Sequence, residues 1–238
     1  MSTNQPTTIF TQSWSLYDLI TAYNYMFHNE IYDGVQRLLG LRQDVGQYRL
    51  LDLGCGNARF MAPCLLKHPP AYYEGVDLSE TALGEAKTYL APLTCPIKLT
   101  HNDLLTSIES TQDQWDIIFS GFAVHHLTPE DKARFFNAVG RSLSKQGWLI
   151  LVDVVREEDQ DRATYLNGYL KFMRETWINV PSEQLEEACT HVHDHDYPET
   201  FSTLKQMAHA AGLRAQQVIS HYGQHYTLLF AHSDLPKI

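Results

Sequence analysis

Apolar and polar positions along the chain alternate between two patterns. Short apolar runs begin near residues 50, 72, 97, 115 and 148. The first and fourth runs are followed by segments predicted as helices, NARFMAPCLLKH and TPEDKARFFNAVGRSL. Strands that alternate with helices predict an α/β fold with a mostly parallel sheet.

The end of the chain has a different pattern. A helical stretch, PETFSTLKQMAHAAGL, precedes two apolar runs, AQQVISHYG and QHYTLLFAHS, which are joined by a short turn centred on Gly223. This pattern predicts a β-hairpin whose last strand is antiparallel to its neighbour.

The turn after the first strand carries the strongest chemical signal, in the segment YRLLDLGCGNARF (48–60). Gly54 and Gly56 let the backbone approach a ligand without a Cβ in the way, and Asn57 is expected to cap the next helix. A dinucleotide-binding turn would have a third glycine where this chain has Arg59. Asp52 would repel a phosphate and attract an ammonium group, so we expect a ligand with a cationic end.

Further acidic residues stand at the ends of the next two strands. Asp77 follows the glycine turn by about twenty residues, a position suited to accepting hydrogen bonds from a ribose diol. The third strand runs into Asn102, Asp103 and Leu104. Because the carboxyl ends of parallel strands meet at one edge of a sheet, these residues are expected to face one ligand.

Together these motifs resemble those of the class I S-adenosylmethionine-dependent methyltransferases, over roughly residues 46–158 and 197–232. The resemblance implies a Rossmann-like seven-stranded sheet, mostly parallel with an antiparallel last strand, with helices on both faces and helical lid additions. It also implies S-adenosyl-L-methionine as cofactor, held by Asp52, Gly54, Gly56, Asn57, Asp77, Leu78, Asp103, Leu104 and Ser120.

We expect one methyltransferase domain over residues 1–238. Residues 1–45 would form an N-terminal helical lid and residues 46–158 the cofactor-binding core. Residues 159–196 would form a helical insertion over the substrate site, and residues 197–238 the terminal helix and hairpin.

Aromatic and histidine residues of the two lid segments are candidates for contact with a substrate. In the first segment Leu16, Ile20, Tyr23 and Phe27 recur at helical spacing. The insertion carries a similar stripe, which is more often core packing than pocket lining. The candidate substrate residues are Tyr17, Tyr25, His28, Tyr169 and Trp177.

Histidines supply the other candidate chemistry. His125 follows the fourth strand, where methyl group and acceptor would meet, and is our candidate general base for an acceptor that must lose a proton. His191, His193 and His195 could share one face only in an extended segment. We therefore expect capping and loop hydrogen bonds from this cluster, and no metal.

Composition limits the classes of molecule that are expected as partners. The 238 residues contain 18 Lys and Arg against 28 Asp and Glu, which gives a formal net charge of −10. Because the cations are scattered, we expect neither nucleic acid nor membrane as partner, but a small-molecule acceptor. The four cysteines show no paired spacing, and the first thirteen residues show no secretory pattern, so we expect a cytoplasmic setting.

The sequence thus favours in-line methyl transfer to a small molecule. It favours a nitrogen or oxygen atom over a carbon atom as the nucleophile. One alternative is a protein that binds S-adenosylmethionine for a reaction other than methylation, or without turnover. A nicotinamide-dependent oxidoreductase is a remote alternative. The identity of the acceptor and the oligomeric state are left open.

Overall fold

A computed structural model describes residues 14–42, 44 and 46–236. Its centre is a sheet whose strands lie in the order β3-β2-β1-β4-β5-β8-β7. The strands are β1 (Arg49–Leu53), β2 (Tyr72–Asp77), β3 (Ile97–His101), β4 (Trp115–Gly121), β5 (Leu143–Arg156), β6 (Glu199–Thr200), β7 (Ala215–Tyr222) and β8 (His225–Ala231).

Helices connect the strands. They are α1 (Trp14–Ala22), α2 (His28–Gly40), α3 (Met61–Lys67), α4 (Glu80–Leu90), α5 (Leu104–Ser110), α6 (Pro129–Ser142), α7 (Arg162–Thr176), α8 (Ser182–His195) and α9 (Phe201–Ala210), with a short 3₁₀ helix at Val124–His126.

The strands pair as the sequence predicts. β1 to β5 are parallel, and β8 runs antiparallel between β5 and β7. The predicted mostly parallel sheet with an antiparallel last strand is therefore confirmed. The two-residue strand β6, which pairs with the end of β5, was not predicted.

Two apolar layers cover the sheet. Residues of α2, α3 and α4 pack on one face, and residues of α5, α6 and α9 pack on the other. Each large apolar side chain that is buried contributes about 1.5–3 kcal/mol. The predicted helices on both faces are confirmed, and the sheet is thereby held rigid beneath its carboxyl edge.

A third apolar cluster joins the two segments predicted as lids. Leu16 and Ile20 of α1 pack with Tyr165, Tyr169 and Met173 of α7. The aromatic stripe of the insertion is thus the packing face that its spacing predicts. Among the described residues, no helix has both the length and the apolar character needed to cross a membrane.

The expectation of one or two helices over residues 14–41 is confirmed by α1 and α2. Several local predictions are wrong. The predicted apolar stripe is not continuous, because α1 ends at Ala22 and Phe27 has a left-handed φ of 57°. Strand β5 begins at Leu143, five residues before the apolar run near residue 148, so Ser144 to Gly147 lie within the strand and not in a turn before it. Thr200, predicted inside the terminal helix, is its N-cap and accepts a hydrogen bond from the Thr203 amide at 3.1 Å.

Candidate active site

The glycine turn lies between β1 and α3, at the carboxyl edge of the sheet. Gly54 has a φ of +77°, and its amide donates to the Val76 carbonyl at 2.9 Å. A Cβ at Gly54 would lie 2.6 Å from Cβ of Ala123. Gly56 has a φ of +52° with open space around it. The turn therefore needs glycine at position 54 for both backbone conformation and space.

Asp77 at the end of β2 holds the turn in place. Its Oδ2 accepts a hydrogen bond from the Gly56 amide at 2.7 Å, and its Oδ1 accepts one from the Ser79 amide at 2.8 Å. Burial raises the pKa of Asp77, although these amides act to lower it. A carboxylate oxygen can accept more than one hydrogen bond, so the carboxylate can also bind a diol.

Asp52 is a buried carboxylate beside the turn, 1% exposed. The Tyr73 hydroxyl donates to its Oδ2 at 2.8 Å, while its Oδ1 has no hydrogen-bond partner among the described residues. Burial raises the pKa of Asp52 to about 7, against the lowering effect of the Tyr73 hydrogen bond. A buried carboxylate with an open oxygen favours a cationic ligand.

Asn57 does not cap the next helix, which corrects our expectation. Helix α3 begins four residues later, at Met61. The Asn57 side chain instead accepts from the Arg59 amide at 3.3 Å and donates to Glu85 Oε2 at 3.0 Å. Arg59 in turn contacts Asp18 Oδ1 at 3.2 Å, so the turn is connected to α1.

The other predicted adenosine residues lie at the same edge. Leu78 is 40% exposed just after β2, where an apolar side chain is free to cover a ligand. Asp103 caps α5, with its Oδ1 accepting from the Thr106 amide at 2.8 Å. Leu104 is half-buried as the first residue of that helix. The edge thus carries Asp52, Asp77 and Asp103 on successive strand ends.

Ser120 lies beneath the turn rather than on its surface. The side chain is fully buried and donates to the Leu53 carbonyl at 2.7 Å. This hydrogen bond joins β4 to β1 immediately before Gly54. Contact between Ser120 and a cofactor stays a prediction.

An aromatic cluster surrounds His28 close to the glycine turn. The His28 ring stacks on Phe60 at 4.8 Å and contacts Phe122 at 5.2 Å, both measured between ring centroids. Its Nε2 lies 3.4 Å from the Tyr17 hydroxyl. His28 is fully buried, and its Nδ1 has no hydrogen-bond partner among the described residues. Burial lowers the pKa of His28 to about 3, so the ring is neutral.

His225, at the start of β8, extends this cluster. It was not among the site residues predicted from the sequence. Its ring contacts Phe122 at 5.9 Å between centroids. Its Nε2 lies 2.9 Å from the Tyr169 hydroxyl, and its Nδ1 lies 3.1 Å from the Tyr222 carbonyl. Burial lowers the pKa of His225 to about 4. The sequence carried one signal, a histidine in an otherwise apolar strand next to the hairpin turn.

The five predicted substrate residues therefore fall into three groups. Tyr17 and His28 contact each other, and Tyr169 binds His225. Tyr25 stacks on Trp177 with ring centroids 5.6 Å apart. The Tyr25 hydroxyl also accepts from the Asn179 amide at 3.0 Å, so this pair connects the two lid segments.

His125 is buried between two carboxylates that the sequence did not connect with it. Its Nδ1 makes a short hydrogen bond to Asp153 Oδ1 on β5, and its Nε2 lies 3.7 Å from Asp196 Oδ1 after α8. Burial acts to lower the pKa of His125, but the two carboxylates raise it overall. Its role as a general base stays a prediction.

The histidine cluster at 191–195 is helical, not extended. All three residues lie in α8, where His191 and His195 share a face with ring centroids 4.9 Å apart. His193 is exposed and pairs with Asp194 at 2.8 Å. The cluster therefore splits into a buried side and a solvent side.

Comparison with known proteins supports the assignment of the turn. Residues 50–147 match a protein family described as "Methyltransferase domain". No curated protein matches the chain in sequence.

Solved structures share the fold at low identity. The magnesium protoporphyrin IX methyltransferase of Synechocystis PCC 6803, with bound S-adenosylmethionine, is 13% identical, with a TM-score of 0.63 over 94% of each chain. Human N-acetylserotonin methyltransferase, also with S-adenosylmethionine, is 14% identical, with a TM-score of 0.59 over 97% of this chain and 63% of that one. A cyclopropane synthase of Mycobacterium tuberculosis is 18% identical, with a TM-score of 0.56 over 78% of this chain and 62% of that one.

At these identities the likeness shows the fold, and the chain spans less than two thirds of the last two proteins. The family match covers β1 to the first part of β5, which includes Asp52, the glycine turn and the Asp77 and Asp103 strand ends. Residues 50–147 therefore match a methyltransferase domain, and the fold of the chain agrees with its resemblance to the class I S-adenosylmethionine-dependent methyltransferases.

Proposed function

We propose that this protein methylates a small-molecule acceptor at a nitrogen or oxygen atom. The observation that carries the proposal is the buried aromatic cluster around His28, which adjoins the glycine turn through Phe60. Two of the similar structures are methyltransferases named for small molecules, N-acetylserotonin and magnesium protoporphyrin IX. The net charge of −10 argues against a nucleic-acid acceptor.

The residues of the turn fit S-adenosylmethionine, which supplies an electrophilic methyl group when bound. Asp52 has an open, buried carboxylate oxygen for the ammonium of the amino-acid end. Gly54 and Gly56 keep the cradle free of side chains. We propose that Asp77 binds the ribose hydroxyls, that Leu78 covers the adenine, and that Asp103 accepts from the adenine amino group.

Alignment of the acceptor is the main task left to the chain in an in-line displacement. Phe60, Phe122 and Tyr32 surround His28 with apolar surface, which excludes water from the reacting atoms. The open Nδ1 of His28 is the polar atom in this apolar setting. We propose that it forms a hydrogen bond with the acceptor and orients its nucleophilic atom.

A neutral His28 suits an acceptor that carries its own hydrogen-bonding group, such as a hydroxyl or an amine. A carbon nucleophile would leave the Nδ1 unpaired, which costs about 1–3 kcal/mol for a buried polar atom. The low pKa makes His28 a weak base. Where the acceptor must lose a proton, we keep His125 as the proposed base, acting above its raised pKa.

The two lid segments are proposed to control access to this site. The cluster at His28 is closed off from solvent by α1 and α2, and Arg59 ties α1 to the glycine turn. We propose residues 1–45 and 159–196 as lids within a single domain over residues 1–238. Of these, residues 1–13, 43, 45, 237 and 238 lie outside the described part of the chain.

Replacing His28 with phenylalanine tests the acceptor site. The His28→Phe variant keeps the stacking on Phe60 but removes the open nitrogen. We expect kcat/KM for the acceptor to fall by about 10- to 100-fold, the loss of one or two hydrogen bonds to a buried group. S-adenosylhomocysteine formation, measured by mass spectrometry over a panel of small hydroxyl and amine compounds, provides the rate.

Two controls distinguish acceptor binding by His28 from a general loss of folding and from proton abstraction by His125. Affinity for S-adenosylhomocysteine should change less than threefold in His28→Phe, because the cradle is intact. A His125→Ala variant that keeps cofactor affinity and loses turnover would support His125 as the base. Unchanged acceptor kinetics in His28→Phe would reject His28 as the acceptor-binding residue.

The ionisation of Asp52 predicts a pH dependence of cofactor binding. Only the carboxylate form attracts an ammonium group, and the pKa of Asp52 lies at about 7. As the pH falls from about 8 to about 6, we expect the affinity for S-adenosylhomocysteine to weaken by about tenfold, because the carboxyl group becomes protonated. Calorimetric titration across this range measures the effect.

Methylthioadenosine is the matched control ligand, since it lacks the amino-acid end. Its affinity should stay nearly constant over the same pH range. The Asp52→Asn variant should bind S-adenosylhomocysteine weakly and without this pH dependence. A wild-type affinity that does not change between these pH values would contradict the assignment of Asp52.

A further inference from the structure

Two histidines and an aspartate from distant parts of the chain lie close together at the end of β4. His125 and His126 belong to the 3₁₀ helix after β4, and Asp196 directly follows α8. Each can offer one ligand atom, and the three atoms lie within 4.8 Å of one another. The side chains of His125 and Asp196 are at most 8% exposed, and that of His126 is 22% exposed.

Both rings face the same carboxylate oxygen. Asp196 Oδ1 lies 3.7 Å from His125 Nε2 and 3.2 Å from His126 Nδ1. Asp196 Oδ1 accepts no well-aligned hydrogen bond from the described residues. His126 Nδ1 also lies 3.4 Å from the His195 carbonyl, so binding a metal ion would require this nitrogen to give up that contact. A buried carboxylate oxygen in this position calls for a cation.

A second carboxylate orients the first histidine. Asp153 on β5 makes the hydrogen bond to His125 Nδ1, which leaves the lone pair of Nε2 directed towards Asp196. Metal-binding histidines commonly donate their other ring N–H to a carboxylate in this manner. The arrangement thus includes the three ligand atoms and the carboxylate that sets the tautomer of His125.

We propose that His125 Nε2, His126 Nδ1 and Asp196 Oδ1 bind a divalent transition-metal ion, for which Zn²⁺ is the reference. Two imidazoles and one carboxylate are a ligand set that Zn²⁺ accepts. Bonds of about 2.0–2.1 Å in a tetrahedron place ligand atoms about 3.4 Å apart. The observed separations of 3.2 and 3.7 Å lie on either side of that value.

The local charge favours a cation. Asp153 and Asp196 are both buried. The ammonium of Lys132 interacts electrostatically with both carboxylates, but it donates its hydrogen bonds to the carbonyls of Leu127 and Tyr197.

The site departs from the sequence expectation of no metal. That expectation also weighed His125 and His126, but the sequence has no glutamates beside them, and Asp196 comes close to them only through the fold. A metal ion bound here would join the end of α8 to the edge of the sheet. It would also take the Nε2 lone pair that a general base needs, so an occupied site excludes the role of base proposed for His125.

Metal titration of the purified chain tests the site. After treatment with a chelator, we expect the protein to bind one equivalent of Zn²⁺ with high affinity and to gain thermal stability on binding. Co²⁺ in place of Zn²⁺ should give the intense visible bands of a tetrahedral or five-coordinate site. These two measurements need no active enzyme and no acceptor.

Conservative variants assign the ligands. Asp196→Asn and His126→Gln should weaken Zn²⁺ affinity by at least about tenfold, and Asp153→Asn by about 10- to 100-fold. His193→Ala removes an exposed histidine of the same helix and should bind as the wild type does. The proposal is overturned if the wild-type chain takes up no equivalent of Zn²⁺, or if uptake is the same in Asp196→Asn and His126→Gln. A weak Co²⁺ spectrum typical of octahedral surface binding would also overturn it, whether or not the variants fold.

Discussion

Asp77→Ala should reduce affinity for S-adenosylhomocysteine by at least about 100-fold. The carboxylate holds the amides of Gly56 and Ser79 and is the proposed partner of the ribose diol. Each hydrogen bond to a charged group contributes about 1.5–3 kcal/mol, so loss of two or more exceeds a factor of 100. Isothermal titration calorimetry with S-adenosylhomocysteine measures the change.

Two further variants test whether the Asp77 carboxylate is the cause of the lost affinity. Asp77→Asn keeps one oxygen acceptor and should bind with intermediate affinity. Glu80→Ala removes a carboxylate three residues away whose side chain is 81% exposed, and should bind as the wild type does. Binding by Asp77→Ala within about threefold of the wild type would show that the ribose anchor lies elsewhere.

Gly54→Ala should lower the free energy of unfolding by about 2–5 kcal/mol. The left-handed backbone at φ +77° costs an alanine about 1–2 kcal/mol. The new Cβ would also lie 2.6 Å from the Ala123 Cβ, and forcing extra atoms into a packed site typically costs about 1–3 kcal/mol. Denaturant unfolding followed by circular dichroism measures the loss.

Substitutions at two other glycines separate the backbone contribution from the steric contribution to this loss of stability. Gly56 has a left-handed φ but open space at the position of an added Cβ. Gly56→Ala should therefore lower the free energy of unfolding by the backbone contribution alone. Gly84→Ala lies inside α4 with nothing near its added Cβ, and should stabilise the protein by up to about 1 kcal/mol. Equal stability of the three variants would contradict the steric account of Gly54.

The cofactor side of the site was open to prediction because its residues are close in sequence to strand ends. Asp52, Asp77 and Asp103 each follow a recognisable apolar run, and parallel strands bring their carboxyl ends to one edge. The prediction that Asn57 caps the next helix was wrong for a local reason. The turn continues through Ala58, whose φ is 56°, so the helix starts only at Met61.

The side proposed for the acceptor was predicted less fully. Tyr17 and His28 were candidates from their positions off the apolar stripe, but their contact depends on how α1 meets α2. His225 lies about two hundred residues from His28 in the chain, and no spacing rule connects them. The two rings share Phe122, which belongs to a third segment.

By itself the sequence determined the α/β class and the glycine turn, because strand periodicity and turn chemistry are local properties. The methyl donor followed from the resemblance of these motifs to a known family. The tertiary structure alone decided which distant groups share a site. It brought Asp153 and Asp196 to His125, and it buried His28 and His225 in one aromatic cluster. Those contacts depend on the packing of the two lid segments over the sheet, and packing between distant segments leaves no periodic signal in the chain.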